Sequence, residues 1–375
     1  MRFNSERLNE IADSVGLEQA GVGIASAEPL NYMLDRLERR GIEGRVTPFE
    51  EEDPAKRISP GHLLPGCRSI ITITVPYSLP QKDEMVLNCR PRGKVAHCAQ
   101  GIDYHNIVER KAEDLARAVK KASSAALNYR VLSDRSPLLE RELARKSGLG
   151  IIGENCTLID AKYGSFVAIG TVLIDEELEP SLPANEPCRR CGKCREACPT
   201  GCLIEPYVIN PFRCISYLTQ ASGIFPREFR AALGSRIYGC DICQEVCPHN
   251  DQVPPAPYQE FAFPFFPAQP LLLPLLHLTR REYDLTINLT SAGWRGKTTL
   301  QRNIILALGN SGDPDAVPHL TRILENDPRP LIRLHTAWSL GRLGGPKALF
   351  ALQKSTYKDP EPAVREEALS ALETK

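Results

Sequence analysis

The chain has 375 residues, 42% hydrophobic and 25% charged, which excludes a disordered or fibrous protein and suits two or three soluble domains. Formal net charge is zero, so no global field points to nucleic acid, and such binding would need a local patch. No charged segment followed by an apolar one marks a secretory leader, and the most apolar stretch, 271–278, is short and broken by Pro274, so no membrane span is expected.

The first 180 residues read as α/β. Ser5 is the expected N-cap of a helix with Leu8, Ile11, Ala12 and Val15 inward, stopped by Gly16. Residues 69–75 (SIITITV) have the β-branched density of a buried strand, ended by Pro76. A long helix is expected over 104–126, with Ile107, Val108, Leu115, Ala118, Val119 and Ala122 inward. Residues 130–133 then read as a short strand, and Ser136-Pro137 as a cap and first-turn pair opening a helix that closes at Gly148. Residues 166–174 (FVAIGTVLI) form another buried strand, and the alternation fits an α/β sheet domain.

Ligands of open α/β sheets collect at the carboxyl ends of strands, where Asp134 stands, so the position suits a catalytic acid. On spacing alone, an aspartate there reads as a cap or a solvated turn residue. No Rossmann glycine fingerprint and no Walker loop are present. Asp103-Tyr104-His105 opens like the DxHxxG cobalamin motif, but Val108 replaces the glycine, and helix N-terminal packing is the reading that spacing favours.

The expected compartment is a reducing cytoplasm, where thirteen cysteines hold metal more readily than they form disulfides. Nine of them fall between 188 and 247. Cys188-x2-Cys191-x2-Cys194-x3-Cys198-Pro199 is the bacterial ferredoxin run, in which three thiolates grip one cubane and the fourth turns to a second. Its counterpart, Cys240-x2-Cys243-x3-Cys247-Pro248, lacks one cysteine, which Cys214 or Cys202 must supply. Cys214 is preferred, because ferredoxin loops carry a small filler residue at the place of Cys202. One [4Fe-4S] cluster is then assigned to Cys188, Cys191, Cys194 and Cys247, the other to Cys198, Cys214, Cys240 and Cys243. Structural zinc also uses paired CxxC motifs, but not a four-cysteine run ending in proline. Cys67, Cys89, Cys98 and Cys156 read as buried filler.

From Pro248 to Pro274 eight prolines mark a linker without regular helix that still packs through its phenylalanines. Beyond it Leu308, Leu340 and Leu372 recur every 32 residues, as do Asp327-Pro328 and Asp359-Pro360, and Arg333 and Arg365. That period with helical stripes means a short α-solenoid of HEAT type, usually a docking surface for a large partner. Residues 291–347 carry eight Lys or Arg against four Asp or Glu. Arg295, Lys297 and Arg302, next to Trp294, are candidate phosphate or stacking contacts, against the plainer reading of a solvated helix face.

The ferredoxin run, CDICQEVCP (240–248), RCISYLTQ (213–220), GWRGK (293–297), Lys56-Arg57, Asp103-Tyr104-His105 and GLGIIGEN (148–155) together resemble epoxyqueuosine reductase, in order over nearly the whole chain. Cys98 and the 150–155 variant depart from the family's pattern without touching a proposed role. The resemblance implies a multidomain α+β protein in four parts. These are a cobalamin-binding catalytic domain with a nitroreductase-like core (1–180), a ferredoxin-like two-cluster module (181–255), a Pro-rich segment (256–290), and HEAT-like repeats that dock tRNA (291–375). It implies reduction of epoxyqueuosine to queuosine at the wobble base of GUN-anticodon tRNAs (Tyr, His, Asn and Asp). The electrons would come from a low-potential donor such as flavodoxin or ferredoxin. By the same resemblance Asp134 is the proton donor, Arg57 contacts cobalamin, Leu158 and Ile169 line its pocket partly through backbone, and Ser216 and Asp241 face it from the cluster side.

A donor aspartic acid must stay protonated near neutral pH, so a pKa raised by burial beside the corrin is expected for Asp134. Two other readings compete. A reductive dehalogenase would share the cofactors but usually carries a twin-arginine export signal and has no reason for a HEAT tail. A non-catalytic electron carrier leaves about 180 residues of α/β domain unexplained.

Overall fold

The computed structural model describes residues 3–77, 91–123, 126–184, 187–261 and 266–373. The chain divides into two compact units that are not successive in sequence. One comprises Met1–Pro80, Asp103–Phe212 and Ile242–Phe263; the other comprises Gln81–Ile102, Arg213–Asp241 and Pro264–Lys375.

The first unit is built on a four-stranded sheet in the order Gly21–Ser26, Ser69–Pro76, Val167–Ile174, Tyr129–Leu132. Every neighbouring pair is antiparallel, with Gly21 opposite Thr74 and Ile174 opposite both Ser69 and Tyr129. Alternating strands and helices thus lead here to an antiparallel sheet, and the carboxyl-edge rule for open α/β sheets does not locate Asp134.

All eight residues of Ser69–Pro76 are buried, because helices cover both faces of the sheet. Helix Tyr104–Ala122 buries Ile107, Val108, Ala112, Leu115, Ala116 and Val119; Ala112 and Ala116 take the inward places expected of Ala118 and Ala122. Each fully buried Ile, Val or Leu side chain among them contributes about 1.5–3 kcal/mol. Gly170 lets this helix approach, since a Cβ there would stand 2.7 Å from Val108 Cγ1. On the opposite face lies helix Glu140–Lys146, whose following Ser147 donates to Thr72 Oγ1 at 3.1 Å.

Two starts differ from expectation. The first helix, Ser5–Ser14, is capped by Asn4, whose Oδ1 accepts from the Arg7 N–H. Ser136 spends its hydroxyl on a turn, donating to Glu140 Oε1 and accepting from the Leu138 N–H, so the helix begins only at Glu140.

The second unit holds five helices of the repeat: Gly296–Ser311, Ala316–Asn326, Pro330–Leu343, Pro346–Lys358 and Pro362–Glu373. The 32-residue period is visible in its bonds. Arg333 donates to the Asp327 carbonyl and Arg365 to the Asp359 carbonyl, and Arg333 also forks onto the Asp359 carboxylate at 2.8 and 2.9 Å. Gly309 meets Ser339, and Gly341 meets Ala371, at helix crossings too close for a Cβ. Ile304, Leu308, Ile332, Leu340 and Ala368 form the core, which Phe266, Leu272 and Leu276 of the proline-rich segment join. The expectation of no helix in that segment is corrected. Leu272–Leu276 is a single turn that tolerates Pro274, because first-turn N–H groups have no partner within the helix. Among the described residues no helix is long and apolar enough to cross a membrane.

Candidate active site and cluster ligands

Asp134 follows strand Tyr129–Leu132 with φ +48°, in the left-handed region that costs a residue with a Cβ. Its backbone N–H donates to Glu140 Oε2 at 3.1 Å. The exposed Asp134 carboxylate accepts from the Tyr104 hydroxyl at 2.5 Å, and its Oδ2 lies 3.6 Å from His105 Nε2. Asp103 caps the helix through the His105 N–H and also bonds His105 Nδ1 at 2.6 Å, which fixes the ring. The helix start and the turn after the strand are joined further by Ser133 Oγ, which donates to the His105 carbonyl.

The electrostatics of this network favour one distribution of protons. Burial pulls the His105 imidazolium down, but bonds to Asp103 and Asp134 overcome it and raise the group to about 9. Burial, reinforced by the Asp134 charge, pushes Glu140 up to about 8. Surrounding protein pushes the Asp134 carboxyl up too, yet bonds from His105 and Tyr104 win and hold it below the usual carboxylate range. With protein groups as its neighbours Asp134 rests ionised, and at neutral pH the protons sit on His105 and Glu140. Sequence reading gave Tyr104 and His105 only a packing role and passed over Glu140. The signal was present in the Asp103 cap, which directs the next two side chains toward one point.

Arg57 lies in helix Pro54–Ile58, capped by Asp53. Its Nη1 donates to Glu50, which Arg40 also grips through both carboxylate oxygens, while the buried Arg57 Nε–H has no partner among the described residues. Leu158 and Ile169 pack in one apolar cluster with Tyr163 and Val167; the Leu158 side chain is committed to that core. In the second unit, Asp241 accepts from the His97 N–H and the Ser216 carbonyl accepts from Thr219 and Gln220.

Cys188, Cys191, Cys194 and Cys247 line one cavity, and Glu154 and His249 also border it. Gly192, at φ +75°, turns the chain into the short helix Lys193–Glu196 so that the three-residue spacing returns thiols to the same side. Burial raises the Cys194 thiol to about 11 and pushes Cys247 up as well, so both need a metal cation to ionise. Cys198 is the reverse: Cys202 Sγ lies 3.3 Å away, and with bonds from Thr200 and the Cys202 N–H it brings the thiol down to about 4. Among the described residues no three His, Cys, Asp or Glu side chains converge as the ligands of a single ion do. Cys198 and Cys243 belong to the first unit, Cys214 and Cys240 to the second. Of the cysteines read as filler, Cys67, Cys98 and Cys156 are half-buried, and Cys89 lies outside the described residues.

Arg302 is not a phosphate contact. It is 1% exposed, and its guanidinium donates to the carbonyls of Leu218, Ala221 and Gly223 and to Asn303 Oδ1. Buried desolvation on that scale is the mark of a structural arginine. Trp294 remains exposed, Arg295 stacks on it with 4.7 Å between guanidinium and ring centre, and Lys297 is half-exposed.

Comparison with known proteins agrees in outline. Family models match "4Fe-4S double cluster binding domain" over 187–250, "HEAT repeats" over 296–373 and "Epoxyqueuosine reductase QueG, DUF1730" over 57–135. The Bacillus subtilis (strain 168) epoxyqueuosine reductase is 37% identical over 336 residues, 89% of this chain and 86% of that one. A crystal structure of epoxyqueuosine reductase with a tRNA-Tyr epoxyqueuosine-modified stem loop matches with a TM-score of 0.93 at 36% identity, over 98% of this chain and 97% of that one. The Bacillus subtilis structure, with the Asp134 catalytic loop of that protein swung out of its active site, matches with a TM-score of 0.89 at 35% identity, over 98% of both chains.

Proposed function

This chain belongs to the epoxyqueuosine reductase family, and on that premise we propose that it reduces epoxyqueuosine to queuosine at the wobble base of tRNAs with GUN anticodons, those for Tyr, His, Asn and Asp. One observation carries the reading. A solvent-facing carboxylate bonded to a hydroxyl and an imidazole lies in the same unit as a cavity ringed by four thiols. The first group moves protons; the second suits an electron carrier.

The net reaction takes an epoxide, two electrons and two protons to an alkene and water. Two [4Fe-4S] clusters, on Cys188, Cys191, Cys194 and Cys247 and on Cys198, Cys214, Cys240 and Cys243, would deliver the electrons singly. The thiol-lined cavity and the acidified Cys198 fit such ligands. Cobalamin, held by Arg57, Leu158, Ile169, Ser216 and Asp241, would supply a reduced cobalt that is a strong carbon nucleophile. The unpartnered Arg57 Nε–H fits the polar arms of a corrin, and Leu158, its side chain buried, has only main-chain groups to offer.

Asp134 would stand at the departing epoxide oxygen. As negative charge grows there, a proton passes through Asp134 to that oxygen, and the His105 imidazolium, 3.6 Å behind, replaces it. Tyr104 keeps the carboxylate aimed while the proton is in transit. The modified base must leave the anticodon loop to reach this carboxylate, with Trp294, Arg295 and Lys297 offered to the RNA. A low-potential flavodoxin or ferredoxin would recharge the clusters.

The test is the mass of the wobble nucleoside after incubation of modified tRNA with reduced, corrin- and iron-loaded protein. Loss of one oxygen is expected, and an unchanged mass in fully loaded protein rejects the function.

A further inference from the structure

Four cations, Arg189, Arg190, Lys193 and Arg195, lie within seven residues, and all four side chains are exposed. They flank Cys191 in sequence, the exposed member of the thiol-lined cavity that Arg189 also borders; Cys188 is half-buried, and Cys194 and Cys247 are buried. None of the four makes an ion pair with another described residue, and Glu196 is the one exposed acid in the loop. Arg190 is held at φ +50°, in the left-handed region that costs a residue with a Cβ. Beside this face lies a second cleft, bordered by Cys188 and by exposed Arg36, whose guanidinium donates to the Tyr207 carbonyl. In a chain of zero net charge, four exposed cations flanking the exposed thiol, with Arg36 on the neighbouring cleft, make a local positive field where a cluster would come nearest to solvent.

We propose that the Arg189–Arg195 loop is the docking face for the electron donor, an acidic protein carrying a low-potential one-electron carrier, and that electrons enter at the Cys191 corner. The proposal rests on the cluster assignment of Cys188, Cys191, Cys194 and Cys247. Each encounter oxidises the carrier by one electron, for a flavin from hydroquinone to semiquinone, and reduces one cluster from its 2+ to its 1+ state, with no bond made or broken. A face that must bind, deliver and release is served by exposed charge, which speeds encounter without holding the complex together. An RNA partner is the weaker reading of this patch, since phosphate binding gives no reason for the charges to flank the exposed thiol on both sides in sequence.

The probe is an acidic flavodoxin. Its binding to the iron-loaded full chain is measured by titration calorimetry across ionic strength, and its hydroquinone is used in stopped-flow reduction. For the double variant Arg189→Glu with Lys193→Glu, affinity and bimolecular rate at low salt should each fall about tenfold or more, with the salt dependence flattened. The exchange Arg189→Lys with Lys193→Arg should keep both, as should Arg281→Glu, a reversal at an exposed residue of the other unit. Reduction by dithionite should be equal in all variants, which shows that the clusters are intact. Equal flavodoxin binding in the reversed and native proteins overturns the port, as does a loss of tRNA stem-loop affinity without change in flavodoxin binding, which would hand the patch to RNA. Absence of iron from the native protein would instead bring down the cluster assignment on which the port depends.

Discussion

The Tyr104 hydroxyl donates to Asp134 Oδ2 at 2.5 Å, tying the first turn of a helix to a loop thirty residues later. Asp134→Asn keeps the shape but removes the carboxylate that carries the proton. Turnover should fall by about 10²–10⁴-fold while iron and corrin load normally. Tyr104→Phe, which only frees the carboxylate to wander, should cost about tenfold. Single-turnover mass spectrometry of the nucleoside checks both, and near-native turnover in the asparagine variant would end the donor role.

His105 holds its charge until about pH 9, and its ion pairs with Asp103 and Asp134 are the reason. A raised histidine contributes stability that is fully present below its ordinary pKa and is lost as pH rises through the folded value. Turnover should follow the same limb, declining as pH passes about 9. His105→Gln should lower the rate and erase that limb. A variant whose pH profile matches the native one would separate His105 from the proton path.

Glu140 stays neutral in the fold up to about pH 8, against an ordinary value of 4.5. Its contribution is therefore complete below pH 4.5 and drains away as pH rises toward 8. Glu140→Gln keeps an acceptor for the Asp134 N–H but cannot ionise. Its Tm, measured relative to the native protein, should climb between those two pH values, and a flat difference would show that the carboxyl is not held neutral.

Arg302 satisfies three backbone carbonyls from a buried position. Arg302→Met should leave them unpaired and cost about 3 kcal/mol, read as a lowered denaturation midpoint. Lys297→Ala should leave that midpoint nearly unchanged, Arg295→Ala should lower it only by the roughly 1 kcal/mol of its bond to the Gln220 carbonyl, and both should weaken tRNA binding with a shallower salt dependence. An equal loss of stability in all three would undo the distinction.

A Cβ on Gly309 would stand 2.7 Å from Ser339 Cβ, and one on Gly341 would stand 2.6 Å from Ala371 Cβ. Valine at either site should force two helices apart at a cost of about 1–3 kcal/mol. Gly41, with nothing within 4 Å, is the control: Gly41→Ala should raise Tm slightly, by the roughly 0.5–1 kcal/mol that glycine costs inside a helix. Calorimetry on the three variants tests the repeated crossing.

Much of this protein was legible before any fold was built. The Cys188–Cys194 thiols meet because three-residue spacing in a tight loop returns each to one side, a local property. The 32-residue period of Leu308, Leu340 and Leu372 encodes helices that stack only on their neighbours, so the repeat could be read without knowing what lies beyond it. The buried strands Ser69–Pro76 and Val167–Ile174 were announced by their own β-branched runs.

Tertiary structure alone decided the rest. Strand direction depends on which partner each strand finds, and the same alternation of elements closes here into an antiparallel sheet. The charge on Asp134 depends on Tyr104 and His105, brought to it by the packing of Val108 against Gly170, and no local pattern states that their bonds outweigh desolvation. Arg302 looked like its exposed neighbours in a basic stretch, yet three carbonyls from residues about eighty positions earlier bury it. Contacts within a turn of chain are written in spacing; the energies of groups that meet across the fold exist only once it has closed.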